Sequence, residues 1–170
     1  SLVLGPVSDP FDLTGIKVTR VQSAADMYDA CNAIFDESDI AVMAAAVADY
    51  TPVAVASEKI KKKEEGLDLT LKKTRDILKS LGEKKKSGQL LVGFALETDH
   101  ERENALAKLK QKNADMIILN SLRDAGAGFG TDTNKISIFD RKGGSSDFTL
   151  KPKTETAEDI VNYIIEYIHA

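Results

Sequence analysis

Residues 39–62 read DIAVMAAAVADYTPVAVASEKIKK, and this stretch decides the fold. Residues 39–47 form a short, almost wholly apolar run, which predicts one strand buried on both faces of a parallel sheet. Asp49 follows this strand directly, and Lys59 comes after an intervening loop. Because open α/β sheets bind ligands just beyond the carboxyl ends of their strands, we expect both side chains to lie at a ligand site.

Elsewhere in the chain, short apolar strands alternate with amphipathic helices, which predicts a sheet covered on both faces. Gly143 and Gly144 mark the turn of a late hairpin. The expected fold is a three-layer, Rossmann-like α/β domain with a mostly parallel sheet and a late antiparallel hairpin. It occupies residues 1–170 as a single domain. The main predicted elements are strands at 90–96, 116–119, 135–140 and about 147–150, and helices at 101–113 and 154–169.

Several local patterns make finer predictions. Residues 67–71 alternate between leucine and polar residues, which is typical of a half-buried strand. Thr74 is expected to cap a short helix that stops at Gly82. Cys31 falls on the apolar face of a helix that begins after Ser23, so we interpret it as a core residue. The last helix carries one apolar stripe, formed by Ala157, Ile160, Val161, Ile164, Ile165 and Ile168.

Composition narrows the class of protein. The net charge is −4, yet residues 59–112 hold 15 Lys and Arg against 9 Asp and Glu. This local excess predicts an anion site, whereas nucleic-acid binding is disfavoured because stacking aromatics do not accompany the lysines. A single cysteine and no apolar run long enough for a membrane helix predict a cytoplasmic protein without membrane contact. The two histidines lack metal-ligand spacing, so no zinc site is expected.

Three predicted strands end at polar residues, namely Asp49, Glu97 and Asn120, which should meet at one sheet edge. Lys59, Lys108 and Lys112 are candidates for contacts to a triphosphate, because lysine serves as a mobile point charge. Asp49 could accept from a base or ribose, or hold Mg²⁺. Phe94 could stack on a base or serve equally well as a core aromatic. Gly126, Gly128 and Gly130 indicate a mobile loop more than a phosphate cradle, because no P-loop lysine follows them.

A series of motifs occurs in a fixed order along the chain: GPVS at 5–8, AAAVADY at 44–50, KIKK at 59–62, LKKTRDIL at 71–78, VGFALET at 92–98, and AxxKLxxKxAD at 105–115. Taken together, they resemble phosphopantothenoylcysteine synthetase, a bacterial enzyme of coenzyme A biosynthesis. In many bacteria this enzyme is the carboxyl half of a bifunctional flavoprotein. The resemblance covers nearly the whole chain, and the AAVADY and KIKK pair is its most specific part.

The resemblance implies a ligase that uses CTP and Mg²⁺ to join 4′-phosphopantothenate to L-cysteine through an acyl-cytidylate. It implies that Lys59 is catalytic, as a cation beside the α-phosphate. No residue is assigned as a metal ligand. FMN would belong only to a fused decarboxylase half that these residues do not include. The CTP site implied by the resemblance comprises Ala45, Ala46, Asp49, Lys59, Arg75, Asp76, Ile77, Leu78, Phe94, Lys108 and Lys112.

Two features depart from the family pattern. Arg75 stands where the family carries proline, and two consequences are open: a changed local turn or an added phosphate contact. The family also begins with about forty residues that form a glycine-rich strand, loop and helix, so we expect this domain to be truncated before Ser1. That expectation leaves a second hypothesis open, in which the chain is a non-catalytic fragment that keeps the fold and the dimer surface.

A homodimer is implied by the resemblance, with residues 67–73 and 135–150 as the candidate contacts. A third hypothesis is an oxidoreductase that depends on NAD or NADP. The fold class would suit such an enzyme, but the sequence lacks a GxGxxG motif after a first strand.

Overall fold

A computed structural model describes residues 1–7, 12–54, 56, 58–60, 68–97, 99–121 and 130–170. Within these ranges it contains eleven strands and four helices. The strands are β1 Leu2–Leu4, β2 Val18–Arg20, β3 Ile40–Met43, β4 Tyr50–Pro52, β5 Leu71–Lys73, β6 Leu90–Glu97, β7 Met116–Ser121, β8 Thr133–Asn134, β9 Ile136–Asp140, β10 Ser145–Asp147 and β11 Lys151–Pro152. The helices are α1 Ala24–Phe35, α2 Ile77–Lys84, α3 Glu101–Gln111 and α4 Lys153–His169.

The central sheet has five strands in the order β10-β9-β7-β6-β3. Strands β3, β6 and β7 run parallel, whereas β9 and β10 are antiparallel and form the predicted hairpin. The expected α/β fold with a mostly parallel sheet and a late hairpin is therefore confirmed. Two further pairs lie outside this sheet: β1 with β2 in parallel, and β4 with β5 in antiparallel orientation. A third small pair joins β8 to β11.

Helices cover both faces of the sheet because β6 and β7 alternate their side chains between two cores. Leu90, Val92, Met116 and Ile118 pack with Ile160 and Ile164 of α4. On the opposite face, Leu91 packs with α1 and α2, and Ala95 and Ile117 pack with α3. In the part of the chain that is described, no helix is long and apolar enough to cross a membrane.

The strand predicted at 39–47 is shorter and less buried than expected. It ends at Met43, and the side chains of Ile40 and Val42 are 42% and 47% exposed. Within the described residues β3 is an edge strand of its sheet. Only the face that carries Ala41 and Met43 packs against α1 and α2. An unbroken apolar run was therefore the wrong basis for predicting burial on both faces.

The prediction for the short helix before β6 was wrong at both ends. Asp76, not Thr74, is the N-cap, and its carboxylate accepts from the Lys79 N–H at 2.9 Å. The Thr74 hydroxyl donates instead to the Ala48 carbonyl at 2.7 Å. Gly82 lies inside α2, which continues to Lys84. A glycine at position 82 allows α2 to pack closely against the end of α3, because an added Cβ would overlap the main chain of Lys112.

Two predicted apolar surfaces are more exposed than expected. Leu69 and Leu71 are 60% and 51% exposed, so the residues beside β5 do not form a half-buried strand, while Leu67 lies outside the described residues. In α4 only part of the predicted stripe is buried. Thr156, Ile160 and Ile164 face the core, and Tyr163 and Tyr167 pack against it. Ala157, Val161, Ile165 and Ile168 are exposed.

Candidate functional site

A cavity of about 780 Å³ opens where β3 and β6 end and α2 begins. Its position is the carboxyl edge of the parallel strands, where ligands bind in open α/β sheets. Ten of the eleven residues predicted for the nucleotide site line it. They are Ala45, Ala46, Asp49, Arg75, Asp76, Ile77, Leu78, Phe94, Lys108 and Lys112.

Hydrogen bonds from Thr74 hold the segment that carries Asp49. The Thr74 N–H donates to the Asp49 carbonyl at 2.9 Å, and its hydroxyl donates to the neighbouring Ala48 carbonyl. Beyond these bonds, Tyr50 on β4 pairs with Lys73 on β5. Hydrogen bonds therefore join the segments that carry Asp49 and Thr74, although these residues are 25 positions apart in the sequence.

The N-terminus of α2 forms one wall of the cavity. Asp76 caps this helix and also accepts from the Lys112 ammonium at 2.5 Å. Burial acts to raise the pKa of the Asp76 carboxyl, but hydrogen bonds from Lys112 and the Lys79 N–H outweigh burial and leave that pKa below its ordinary value. Asp76 is therefore an anion at neutral pH, with its two oxygens serving the helix and the lysine.

Arg75, which lines the cavity, forms contacts with two residues of α1. Its guanidinium donates to the Asp29 carboxylate at 2.7 Å and lies 3.8 Å from the centre of the Tyr28 ring. The Tyr28 hydroxyl in turn hydrogen-bonds with Ser80 of α2 at 2.8 Å. The residue at the position where the family carries proline thus links the start of α2 to α1 through a stacked cation.

Lys108 of α3 and Lys112, the C-cap of that helix, also line the cavity. Lys108 contacts the Glu97 carboxylate at 2.6 Å, and Lys112 contacts Asp76. Because these lysines are four residues apart, they lie on the same side of the helix. Lys73 and Arg75 add two further cations to the cavity lining, which also includes the carboxylates of Asp49 and Asp76. The lining is suited to a ligand that carries several negative charges.

Phe94 lies between the core and the cavity. Its side chain is half-buried and packs against the core under α4, yet it also lines the cavity. The preceding glycine lets α2 approach the sheet closely, since a Cβ on Gly93 would come within 2.5 Å of Leu78 Cδ2. Leu78 and Phe94 thereby form an apolar part of the cavity beside the charged part, as expected of small-molecule sites.

Lys59 is the one predicted residue that does not line this cavity. It is exposed, and residues 61–67 that follow its loop lie outside the described part of the chain. Gly126 and Gly128 also lie outside it, while Gly130 has a positive φ of 73°. Sequence reasoning missed Met27, Met43, Lys73 and Thr74 in the lining, because nothing in their local pattern separates a site residue from a core or surface one.

A larger cavity of about 1060 Å³ lies between β1 and β3. Residues of both strands, together with Cys31 and Phe35 of α1, line it. Among the described residues, its lining includes no lysine or arginine and, of the predicted site residues, only Ala45 and Ala46. Burial raises the pKa of the Cys31 thiol, as expected for a core cysteine. The smaller, charged cavity is therefore the better candidate for the ligand site.

Comparisons with known proteins agree on one family. Residues 1–168 match the profile of the DNA/pantothenate metabolism flavoprotein C-terminal domain. The coenzyme A biosynthesis bifunctional protein CoaBC of Bacillus subtilis is 45% identical over 96% of this chain. A crystal structure of the C-terminal domain of CoaBC is 37% identical, with a TM-score of 0.78, and the match covers 98% of this chain and 75% of that one.

One relative carries a different name. A protein called cysteine/cysteine sulfinic acid decarboxylase, from an unknown prokaryotic organism, is 50% identical over 99% of this chain. The chain spans 47% of that protein and 40% of the Bacillus subtilis protein, less than half of each. The names of both relatives therefore describe longer proteins.

Proposed function

Because this chain belongs to the family of the DNA/pantothenate metabolism flavoprotein C-terminal domain, we propose that it is a phosphopantothenate–cysteine ligase of coenzyme A biosynthesis that uses CTP. One observation carries the proposal: a single cavity at the carboxyl edge of the sheet gathers four cations beside an apolar wall that includes Phe94. A nucleoside triphosphate offers the matching chemistry, with a charged phosphate chain and a flat base.

The proposed reaction has two steps. A carboxylate oxygen of 4′-phosphopantothenate attacks the α-phosphorus of CTP, the bond from that phosphorus to the β-phosphate oxygen breaks, and pyrophosphate leaves. The product is an acyl-cytidylate. The amine of L-cysteine then attacks the acyl carbon and loses a proton, while CMP leaves with the electron pair of the acyl C–O bond.

Each of the eleven residues predicted for the nucleotide site has a proposed role in binding CTP. Lys108 and Lys112 contact the phosphate chain, and Phe94 stacks on the base. Asp49 accepts from the base or the ribose. Lys59, on the exposed loop, supplies a cation to the α-phosphate when the nucleotide is bound, and this makes it the catalytic residue of the proposal. The remaining contacts come from Ala45, Ala46, Arg75, Asp76, Ile77 and Leu78.

Mg²⁺ is part of the proposal as the ion that neutralises phosphate oxygens. Among the described residues, no group of three or more His, Cys, Asp or Glu side chains could hold a metal. Mg²⁺ commonly keeps several waters and binds through substrate phosphates rather than in a protein cage. The described cavity therefore fits an ion that arrives with CTP, and no protein ligand is assigned to it.

Thermal unfolding with nucleotides tests this proposal. CTP with Mg²⁺ should raise the melting temperature more than ATP or NAD at the same concentration, because a ligand stabilises the state that binds it. Lys108→Met should remove most of this gain. Lys110→Met, an exposed position of α3 outside the cavity, should keep it. Equal effects of CTP and ATP would contradict the proposal, and a preference for NAD would favour an oxidoreductase.

Release of pyrophosphate with phosphopantothenate and CTP separates binding from chemistry. A chain that binds CTP but releases no pyrophosphate would be the non-catalytic fragment of the second hypothesis. Decarboxylation of cysteine or cysteine sulfinate is a further candidate, favoured by the name of the 50% identical relative. We place it second because that reaction consumes no nucleotide and gives the paired lysines of the cavity no role. Release of CO₂ from cysteine without CTP would reverse this order.

A further inference from the structure

Two carboxylates occupy the lysines that the proposed function assigns to phosphate. Glu97 accepts from Lys108 at 2.6 Å, and Asp76 accepts from Lys112 at 2.5 Å. The Glu97 side chain is 16% exposed, against 38% for Lys108, so the carboxylate lies behind the ammonium. Glu97 itself is absent from the cavity lining, while Lys108 lines it. The lysine thus lines the cavity while its partly buried counterion lies outside the lining.

The Glu97 carboxylate is held in this position from α3. Its second oxygen accepts from the Asn104 amide at 3.2 Å, and the same amide donates to the Asp99 carbonyl at 3.0 Å. Asn104, Lys108 and Lys112 are spaced four residues apart, so they form one row along the helix. The row meets two fixed acceptors, one at the end of β6 and one at the start of α2.

This pairing changes what the cavity offers to an anion. Each ammonium has three N–H donors, and one carboxylate partner leaves the others available. The positive charge, however, is already neutralised in each pair. A phosphate must compete with a tethered carboxylate for the same lysine. A phosphate chain that reaches both lysines can replace two carboxylate contacts together, whereas a short anion gains less.

We propose that Glu97 and Asp76 compete with the phosphates of the nucleotide for Lys108 and Lys112. The two carboxylates pair with these lysines again as pyrophosphate leaves. This inference rests on the proposed function, because it concerns the release of the product that this reaction forms. Glu97 promotes release of the product in this scheme. Its carboxylate weakens the binding of pyrophosphate by competing for Lys108. The base and ribose of CTP bind through other residues.

Calorimetric titration with inorganic pyrophosphate and Mg²⁺ tests the competition directly. Glu97→Gln keeps a carbonyl acceptor for Lys108 and removes the charge, so pyrophosphate should bind roughly tenfold more tightly than to the unchanged protein. The affinity for CTP should rise as well, because its phosphate chain uses the same lysine. Because the gain is electrostatic, it should shrink at high salt.

Two other variants make this test specific. Asp76→Asn removes the second competitor while asparagine still caps α2, and it should also tighten pyrophosphate binding. Asp159→Asn is the matched control, because Asp159 forms a partly buried pair with Lys151 at 2.7 Å outside the cavity. It should leave pyrophosphate affinity unchanged. Circular dichroism establishes whether each variant is folded. If Glu97→Gln does not fold, Asp76→Asn tests the competition in its place.

The outcomes distinguish this inference from the proposed function. Pyrophosphate affinity that stays unchanged or falls in both folded variants would overturn the competition, even with a clear preference for CTP over ATP. No measurable pyrophosphate binding by any of the three proteins would overturn it as well. Tighter pyrophosphate binding without a preference for CTP would support the competition and contradict the proposed function.

Discussion

Gly82 of α2 lies directly against the main chain of Lys112 at the end of α3. The Asn113 amide donates to the Gly82 carbonyl at 2.6 Å, and a Cβ at position 82 would overlap the Lys112 carbonyl oxygen. Since Asp76 of α2 also accepts from the Lys112 ammonium, the two helices meet at both the main chain and the side chain of one residue. The cavity depends on this close approach.

Gly82→Ala should therefore destabilise the protein, although alanine favours helices. The added methyl group meets backbone, which cannot move aside as a side chain can, so we expect a loss of about 1–3 kcal/mol. Urea unfolding measures this loss. Glu83→Ala is the control at the next, exposed position of α2 and should change stability by less than about 0.5 kcal/mol. Equal stability of Gly82→Ala and the original chain would show that the helices can separate freely.

Lys59→Gln should separate catalysis from stability. Because Lys59 is exposed, the ligand-free variant should unfold within about 0.5 kcal/mol of the original chain. Loss of the proposed cation at the α-phosphate should slow pyrophosphate release by roughly 100-fold or more. The rate with saturating CTP and phosphopantothenate is the measurement. Lys110→Gln provides the control for a lost surface lysine. An unchanged rate for Lys59→Gln would remove Lys59 from the catalytic role.

Leu71→Asp should disrupt the homodimer that the family resemblance implies. Tyr50 of β4, Leu71 of β5 and the nearby Leu69 are more than half exposed, so this pair of strands presents apolar area to solvent. A charge placed there should shift sedimentation at micromolar concentration from dimer to monomer. Val161→Asp on the exposed side of α4 is the control. A chain that is already monomeric would contradict the dimer itself.

Tyr163→Phe should alter the response of stability to alkaline pH. Burial, together with the hydrogen bond to Asp140 at 2.6 Å, raises the pKa of the Tyr163 hydroxyl above its usual value. The folded state therefore holds this proton more tightly than the unfolded state does. Its contribution is complete below pH ~10 and is lost as the pH rises from there toward the raised pKa.

Tyr163→Phe removes this proton, so its stability should fall less between pH ~10 and ~11 than that of the original chain. Near neutral pH the variant should be about 1 kcal/mol less stable, because Asp140 loses a donor. Urea unfolding at several pH values measures both effects. Tyr50→Phe, at an exposed position, is the control. Parallel pH profiles for Tyr163→Phe and the original chain would contradict the prediction.

The sequence predicted best those features that depend on local pattern. The strand that begins at Leu90 and the helix that begins after Ser23 were predicted correctly, because burial on two faces and a helix start leave local signals. The rule for parallel strands predicted that Asp49, Glu97 and Asn120 meet at one sheet edge. Asn120 does lie opposite Leu96 near the end of β6, but of the three residues only Asp49 lines the cavity. These predictions needed no knowledge of what packs where.

Exposure and pairing were harder to predict. Ile40 and Val42 are as apolar as any core residues, but their burial depends on which elements cover β3. The ion pair between Asp76 and Lys112 joins residues that are 36 positions apart, and no local pattern links them. The same holds for Thr74, whose hydroxyl bonds across to Ala48 instead of capping the helix that follows it.

The separate pair formed by β1 and β2 has a consequence for how the chain opens. Among the described residues these strands hydrogen-bond to each other and to no strand of the central sheet. Parallel strands are normally buried within larger sheets, so a two-stranded parallel pair is a weak unit. Amide hydrogens of Thr19 and Leu4 should exchange with solvent through local opening, while those of Val92 and Ile117 should wait for global unfolding. A single free energy of unfolding therefore does not describe all parts of this chain.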